Sequence, residues 1–264
     1  MKVEQPIILR IERIVDEARD LRTFIFRYPL CAKPGQFVIV WLPRINEKPF
    51  SISFQDKERF GITVFKVGSF TSKMFELKVG DKVGIRGPYG NGFSLKGEKV
   101  VLVGGGCGTA PLAFLADELK KKKADIHYII GARNKACLLF EKRMKLAGIK
   151  TYFATDDGSY GFKGYTTDLL KQILGKNAID MVYTCGPEIM MKFVNEICSK
   201  VNVPCQISME RYMKCGFGIC GQCCVDNTGV RVCKEGPVFS GQMIKNIFEF
   251  GKYKREASGK KVDL

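Results

Sequence analysis

The chain has 264 residues, a length sufficient for two globular domains, or for two and a small cap. Hydrophobic residues make up 45% of it and charged residues 27%, so each domain can have its own hydrophobic core. There is no run of eighteen apolar residues, and the first five residues lack the plan of a signal peptide, so we expect a cytoplasmic protein without a membrane span. The net charge of +16 comes from basic residues spread along the chain, which favours a solvated Lys-rich surface or an acidic partner over nucleic-acid binding.

The first 95 residues predict short strands separated by turns. Runs rich in Val, Ile and Phe are bounded by Pro-Gly, Gly-Asp and Gly-Pro-Tyr-Gly turns. These runs lie at 8–15, 23–26, 36–41, 50–54, 61–67 and 82–86. Six short strands at this spacing predict an antiparallel β-barrel.

The pattern changes near Lys99, where apolar runs begin to alternate with helical stretches. We predict strands at 100–103, 126–130, 152–154 and 181–183, and helices at 111–122, 166–174 and 188–200. This alternation predicts a doubly wound parallel sheet with helices on both faces. From about residue 209 the chain is rich in Cys and Gly, and it ends in a basic tail with little periodicity. The expected domains are therefore a barrel at 1–95, an α/β domain at 96–208 and a small segment at 209–264.

The most specific pattern is formed by Cys215, Cys220, Cys223 and Cys233. Eleven cysteines in a protein expected to be cytoplasmic favour a metal site over disulfides. The spacing of the first three is that of plant-type ferredoxins, whose thiolates bind a 2Fe–2S cluster. A zinc site of four cysteines is the alternative, although such sites more often show two Cys-x2-Cys pairs. Cys224 is adjacent to Cys223, so it cannot easily point at the same iron, and we expect it to pack against the protein.

Two glycine-containing turns indicate a nucleotide site. The first, Val103 to Pro111, follows an apolar strand and precedes a helix, an arrangement in which the backbone approaches a pyrophosphate closely. Its three consecutive glycines depart from the GxGxxG form, and a plain strand–helix junction would also use glycine. The second, Thr184 to Pro187, follows the strand at 181–183 at the edge where parallel sheets bind ligands. A simple turn at a strand end is the alternative there.

Taken in chain order, these motifs resemble the ferredoxin-reductase superfamily and, more narrowly, the electron-transfer subunits of type B dihydroorotate dehydrogenase. The resemblance spans nearly the whole chain. It rests on KPFSIS at 48–53, GPYGNGF at 87–93, GGGCGTAPL at 104–112, TDDGSYGFKG at 155–164, CGPEIMM at 185–191, ERYMKCGFGICGQCCVD at 210–226 and VCKEGPVF at 232–239.

The resemblance implies that the barrel binds FAD and the α/β domain binds NAD(H). The implied flavin contacts are Lys48, Pro49, Phe50, Ser51, Lys66, Gly68, Thr71 and Ser72. The implied nicotinamide contacts are Gly105, Gly106, Thr109, Cys185, Gly186 and Pro187. Lys48 stands where the family has arginine, which loses the planar fork at a phosphate contact. Phe70 occupies the position of the second glycine in the family's pyrophosphate turn. Without the resemblance, residues 48–53 indicate only a strand that begins with a basic residue, and residues 66–72 indicate only a polar turn.

The activity implied by the resemblance is electron transfer within a larger enzyme. Hydride would pass between NAD(H) and FAD, and single electrons between FAD, the 2Fe–2S cluster and an FMN-carrying catalytic subunit that oxidises dihydroorotate to orotate in pyrimidine biosynthesis. A heterotetramer of two catalytic and two electron-transfer subunits is implied, with no catalytic side chain in this chain. His127, the only histidine, is expected to be structural. Arg133, just past a strand end, fits either a contact with the 2′-phosphate of NADP or a solvated position, so the sequence does not distinguish NAD from NADP.

Three other functions remain compatible with these motifs. One is the flavin subunit of a cytoplasmic hydrogenase or sulfhydrogenase. Another is the small subunit of a ferredoxin:NADP oxidoreductase complex, in which the first cluster ligand is typically aspartate rather than a cysteine such as Cys215. The third, from a different class, is a non-catalytic iron–sulfur redox sensor, which would contain no flavin.

Overall fold

The computed structural model describes residues 5–264 and contains a closed barrel, a seven-stranded sheet and a two-stranded sheet. Within that part of the chain, no helix is long and apolar enough to cross a bilayer. The signal-peptide expectation concerns residues 1–5, and the first four of these lie outside the described range.

Six antiparallel strands form the barrel, as the sequence predicts, in the order β1-β2-β5-β4-β3-β6. Their bounds are Ile7–Ala18 (β1), Leu21–Arg27 (β2), Phe37–Leu42 (β3), Asn46–Gln55 (β4), Arg59–Phe65 (β5) and Lys82–Tyr89 (β6). A short helix, α1 (Ser69–Glu76), occupies part of the stretch that reads as a polar turn in the sequence. The helix forms because Phe70 and Met74, four residues apart, are both buried in the barrel core.

The seven-stranded sheet has the order β10-β9-β8-β7-β11-β12-β13. Its strands are Lys99–Gly105 (β7), Asp125–Ala132 (β8), Lys150–Thr155 (β9), Phe162–Lys163 (β10), Met181–Cys185 (β11), Cys205–Ser208 (β12) and Val238–Ser240 (β13). Its helices are Thr109–Lys121 (α2), Glu141–Leu146 (α3), Thr166–Lys176 (α4), Glu188–Lys200 (α5) and Gly241–Lys245 (α6). All neighbouring strands are parallel except β12 and β13.

Both faces of this sheet are covered by helices, which confirms the doubly wound prediction. Along β7, Val101 and Val103 pack with residues of α4 and α5, whereas Val100 and Leu102 pack with α2 on the other face. All four side chains are fully buried. A strand covered on both faces has no polar side, and the continuous apolar run in the sequence follows from that.

The C-terminal segment joins the sheet of the α/β domain. Strand β13 pairs antiparallel with β12, with Phe239 opposite Ile207. The tail, for which the sequence shows little periodicity, forms a hairpin of β14 (Tyr253–Arg255) and β15 (Lys261–Asp263). The sequence-based prediction lacks strands β12, β13, β14 and β15 and helix α3, because each is too short to show a periodic pattern.

The barrel and the α/β domain share a core and a polar link. Phe114 of α2 is buried among the barrel residues. The guanidinium of Arg143 on α3 donates to the Ser53 carbonyl of β4 at 3.0 Å and to the Asp117 carboxylate of α2 at 2.6 Å. These contacts fix strand β4 relative to the middle of α2.

Candidate functional site

The two glycine-containing turns meet at the carboxyl edge of the sheet, between the neighbouring strands β7 and β11. A Cβ atom placed on Gly108 would lie 2.4 Å from the Cys185 carbonyl oxygen, and one on Gly105 would lie 2.7 Å from Pro187 Cδ. Only glycine permits this approach, because real Cβ atoms do not come so close to other heavy atoms. Strand order reverses at this point of the sheet, and open α/β sheets bind ligands in the crevice formed there.

The crevice offers donors and space suited to a dinucleotide. Gly106 has a φ of +53° and no heavy atom within 4 Å of its Cβ position, so its backbone faces open space. Helix α2 begins just beyond it, at Thr109, so the positive end of the helix dipole lies beside Gly106. The Thr109 hydroxyl is buried and has no hydrogen-bond partner among residues 5–264. A polar ligand in the crevice would supply that partner.

Cys185, in the same crevice, is held as a neutral thiol. Burial raises its pKa well above the usual value, and the nearby Glu210 carboxylate raises it further. A protonated, fully buried thiol is a poor nucleophile. Cys185 therefore lines the crevice as a neutral, buried side chain.

The residues expected to contact flavin lie on β4 and at the start of α1. Lys48, Pro49, Phe50 and Ser51 are half-buried along β4, and the Phe50 ring stacks on that of Phe70 with the centroids 6.1 Å apart. This stacking brings together β4 and α1, the two segments expected to contact flavin. It also directs the Phe70 side chain into the barrel, so the position that is glycine in the family does not obstruct the start of α1.

Polar groups of these segments already have partners within the chain. The Lys48 ammonium donates to the Tyr212 hydroxyl at 3.1 Å and lies 4.6 Å from the centre of the Tyr212 ring. The Thr71 hydroxyl accepts from the N–H groups of Val67 and Gly68 at 2.9 and 3.0 Å. Ser72 N–H donates to the Gly68 carbonyl at 2.8 Å. The exposed N–H groups at the start of α1 are the part of this turn that remains open to a phosphate.

Lys66 lies just before α1 and is exposed. Its ammonium is 5.8 Å from the centre of the Phe75 ring. Its backbone N–H donates to the Asp20 carbonyl at 2.9 Å. The ammonium is therefore placed at the barrel surface beside α1.

The four cysteines of the C-terminal segment differ in exposure. Cys223 and Cys233 are buried, Cys215 is half-buried and Cys220 is exposed. The Cys233 N–H donates to the Cys223 sulfur at 3.4 Å. Burial raises the pKa of the Cys233 thiol, and the neighbouring Cys223 raises it further. Cys224 is half-buried, and its backbone pairs with Arg231.

Backbone N–H groups converge on the Cys215 sulfur. Burial raises the pKa of Cys215, but hydrogen bonds from the N–H groups of Cys220, Phe217 and Ile219 outweigh it and lower the pKa to about 6. N–H donors aimed at a thiolate are the usual surroundings of an iron–sulfur ligand. In the described residues, no three His, Cys, Asp or Glu side chains converge on one point. A 2Fe–2S cluster does not require this, because each iron takes two thiolates.

The cysteine-bearing loop lies directly on the barrel. Gly216, with a φ of +87°, places its Cβ position 3.1 Å from Ile39 of β3, and the rings of Phe217 and Tyr89 are 6.2 Å apart. A cavity of about 270 Å³ lies between them. The Asn91 side-chain amide donates to the carbonyls of residues 234 and 235, next to Cys233, at 3.3 and 2.9 Å. The GPYGNGF motif thus fastens the loop to the barrel.

A buried ion-pair network connects the crevice to the cysteine segment. The Arg211 guanidinium pairs with Glu188 and with Glu249, each at 2.6 Å, and all three side chains are at most 7% exposed. Glu188 directly follows Pro187, and the second oxygen of Glu249 accepts from the Asp226 N–H at 2.8 Å. Sequence reasoning missed this network. Arg211 and Glu188 lie within quoted motifs, but nothing in the sequence pairs them with Glu249.

Comparisons with known proteins agree with this arrangement. An oxidoreductase NAD-binding domain model matches residues 102–196, and a model described as the iron–sulfur cluster binding domain of dihydroorotate dehydrogenase B matches residues 210–245. A Methanocaldococcus jannaschii protein is 51% identical over 98% of this chain and 99% of its own length. A Methanothermobacter thermautotrophicus protein is 48% identical over 97% of each chain. Both are described as probable dihydroorotate dehydrogenase B (NAD(+)), electron transfer subunit.

Among solved structures, the chain is similar to one from an NADH-dependent reduced ferredoxin-NADP oxidoreductase. The TM-score is 0.82 at 29% identity, over 94% of this chain and 95% of the other. The barrel, the nucleotide sheet and the cysteine segment therefore occur together along most of another chain of nearly the same length.

Proposed function

The chain belongs to the family of dihydroorotate dehydrogenase B electron-transfer subunits, and from that premise we propose that it passes electrons in the cytoplasm between NAD(H), FAD, a 2Fe–2S cluster and a catalytic flavoprotein partner. The overall reaction is dihydroorotate plus NAD⁺ to orotate plus NADH and one proton. The observation that supports this most directly is the contact of the cysteine loop with the flavin-type barrel, in a chain whose sheet also forms a nucleotide crevice.

We assign each cofactor to the region built for it. The barrel at 1–95 binds FAD, the α/β domain at 96–208 binds NAD(H), and the segment at 209–264 binds the cluster. The cluster ligands are Cys215, Cys220, Cys223 and Cys233. The FAD contacts are Lys48, Pro49, Phe50, Ser51, Lys66, Gly68, Thr71 and Ser72. The NAD(H) contacts are Gly105, Gly106, Thr109, Cys185, Gly186 and Pro187.

When bound, FAD converts a two-electron hydride into single electrons, which a 2Fe–2S cluster accepts one at a time. The residues of this chain bind and orient. The N-terminus of α2 and the open backbone at Gly106 bind the pyrophosphate, and the Thr109 hydroxyl gains a hydrogen-bond partner. Neutral Cys185 adds no charge beside the nicotinamide. Phe114 and Arg143 hold the α/β domain against β4, which would fix the nicotinamide and flavin sites relative to each other.

Anaerobic purification of the chain, with iron and flavin analysis and visible spectra before and after NADH, tests this function. We expect one FAD and two irons per chain, with bleaching of both chromophores by NADH. Zinc in place of iron, or iron without flavin, would contradict the proposal. Co-purification with a dihydroorotate-oxidising flavoprotein would identify the partner, whereas a hydrogenase subunit in its place would favour that alternative.

The partner is proposed to be an FMN-carrying catalytic subunit in a two-plus-two heterotetramer. Ile219, 79% exposed, precedes the exposed Cys220 in the cysteine loop. A large apolar side chain at the expected exit point for electrons suits a protein interface.

Replacing Ile219 with Asp should weaken binding of the catalytic partner at least about tenfold, because it places a charge in an apolar contact. Calorimetric or surface-binding titration measures this, with iron content as the check that the cluster survives. Leu146→Asp is the matched control, since Leu146 is 80% exposed on α3. Equal losses in both variants would contradict an interface centred on the cysteine loop.

A further inference from the structure

Arg86, on β6, lies where the barrel meets the cysteine segment. Its side chain is 7% exposed. One guanidinium nitrogen, Nη2, donates to the Glu47 carboxylate of β4 at 2.7 Å. The other, Nη1, donates to the Tyr89 hydroxyl and to the Cys215 carbonyl, each at 3.2 Å. A single buried cation therefore contacts the flavin-type strand and the backbone of a proposed cluster ligand.

The charge of Arg86 is permanent under any ordinary condition. An arginine guanidinium does not deprotonate in proteins, and the Glu47 carboxylate 2.7 Å from Nη2 stabilises its positive charge further. Glu47, by contrast, is 34% exposed, so water screens its charge more strongly than that of Arg86. The member of the pair that is buried and contacts Cys215 is therefore the positively charged one.

We propose that Arg86 is a positioning residue that holds Cys215 against the barrel and raises the reduction potential of the 2Fe–2S cluster. Reduction adds one negative charge to the cluster, and a nearby buried cation stabilises that charge. A cluster with a higher potential accepts electrons more readily from a flavin. The flavin-binding strand and the cluster ligand are thus coupled through one side chain.

A second cation near the loop provides an internal comparison. Arg231 donates to the Gly218 carbonyl at 2.9 Å, so it also contacts the loop backbone. It is paired with Glu235, and both side chains are more than a third exposed. Solvent screens such a pair, so its effect on the cluster should be small.

The test is an anaerobic redox titration of the full-length chain, followed by the electron paramagnetic resonance signal of the reduced cluster. At the wild-type midpoint, Arg86→Gln should lower the ratio of reduced to oxidised cluster about tenfold, which is about 59 mV for a one-electron couple. Arg86→Lys keeps the positive charge, so its cluster should have a potential close to that of the wild type, although lysine loses the two-pronged contact. Arg231→Gln should change the ratio much less.

Glu47→Gln provides an independent readout should Arg86→Gln lose its iron. Removing the carboxylate leaves the cation less compensated, so the potential should move in the positive direction. An unchanged potential in Arg86→Gln at full iron content, or a negative shift in Glu47→Gln, would overturn the inference. So would equal shifts in Arg86→Gln and Arg231→Gln.

The inference rests on the proposed function only in requiring a 2Fe–2S cluster at these cysteines. A wild-type chain that binds no iron would overturn the proposed function, and this inference with it. A wild-type chain with its full cluster, and variants that do not shift its potential as described, would overturn the role of Arg86 alone.

Discussion

Replacing Arg211 with Met should lower the free energy of unfolding by about 3–5 kcal/mol. The substitution leaves the carboxylates of Glu188 and Glu249 buried without their cation, and an uncompensated buried charge is among the costliest single changes in a folded protein. For a chain of this size the melting temperature should fall by about 10 °C. Differential scanning fluorimetry at matched iron and flavin content measures it.

Two further variants separate charge from packing at this site. Combining Arg211→Met with Glu188→Gln and Glu249→Gln should recover most of the lost stability, because the buried negative charges are then gone. Arg27→Met is the control, since both side chains of its ion pair with Glu58 are at least 66% exposed. A fall of less than about 2 °C in Arg211→Met would show that the network contributes little.

Replacing Gly108 with Ala should lower kcat/KM for NADH about 100-fold while iron and flavin remain bound. The new methyl group would lie 2.4 Å from the Cys185 carbonyl, so the two loops of the crevice must separate by about an ångström. Misplacement of that size at a hydride-transfer site costs about two orders of magnitude in rate. NADH-dependent ferricyanide reduction by the purified chain measures it.

The control for Gly108→Ala is Gly175→Ala in α4, where no heavy atom lies within 4 Å of the Cβ position. That substitution should leave turnover unchanged and add about 0.5–1 kcal/mol of helix stability. Gly105→Ala, which would meet Pro187 at 2.7 Å, should resemble Gly108→Ala. Wild-type kcat/KM in both crevice variants would show that close contact of the loops is not required.

The parts of this structure that sequence reasoning predicts are those with a local signal. Strand β7 appears as an uninterrupted apolar run because both of its faces are buried, and α2 follows from the Gly-rich turn before it. Cysteine spacing predicts the cluster segment for the same reason, since ligands close in sequence can bind one cluster without partners from distant parts of the chain.

The parts that were missed depend on partners distant in sequence. β13 has three residues and is a strand only because β12 offers it an edge. Helix α1 is set by two side chains, Phe70 and Met74, that find the barrel core. The sequence around Arg86 or Glu47 does not predict that the two residues pair. Each is a charged residue of the kind usually found at exposed positions, and they meet only because β4 and β6 are both part of the closed barrel.

The pairing of β12 with β13 has a consequence for how this chain can be divided. Both ends of the cysteine segment are anchored in neighbouring strands of the nucleotide sheet, so in topological terms residues 209–237 are a long hairpin connection and not an appended module. A chain cut after Ser208 would lose its last strand and expose β12 as an open sheet edge, which invites aggregation. Such a segment cannot be exchanged between reductases as a unit unless the strand on each side is transplanted with it.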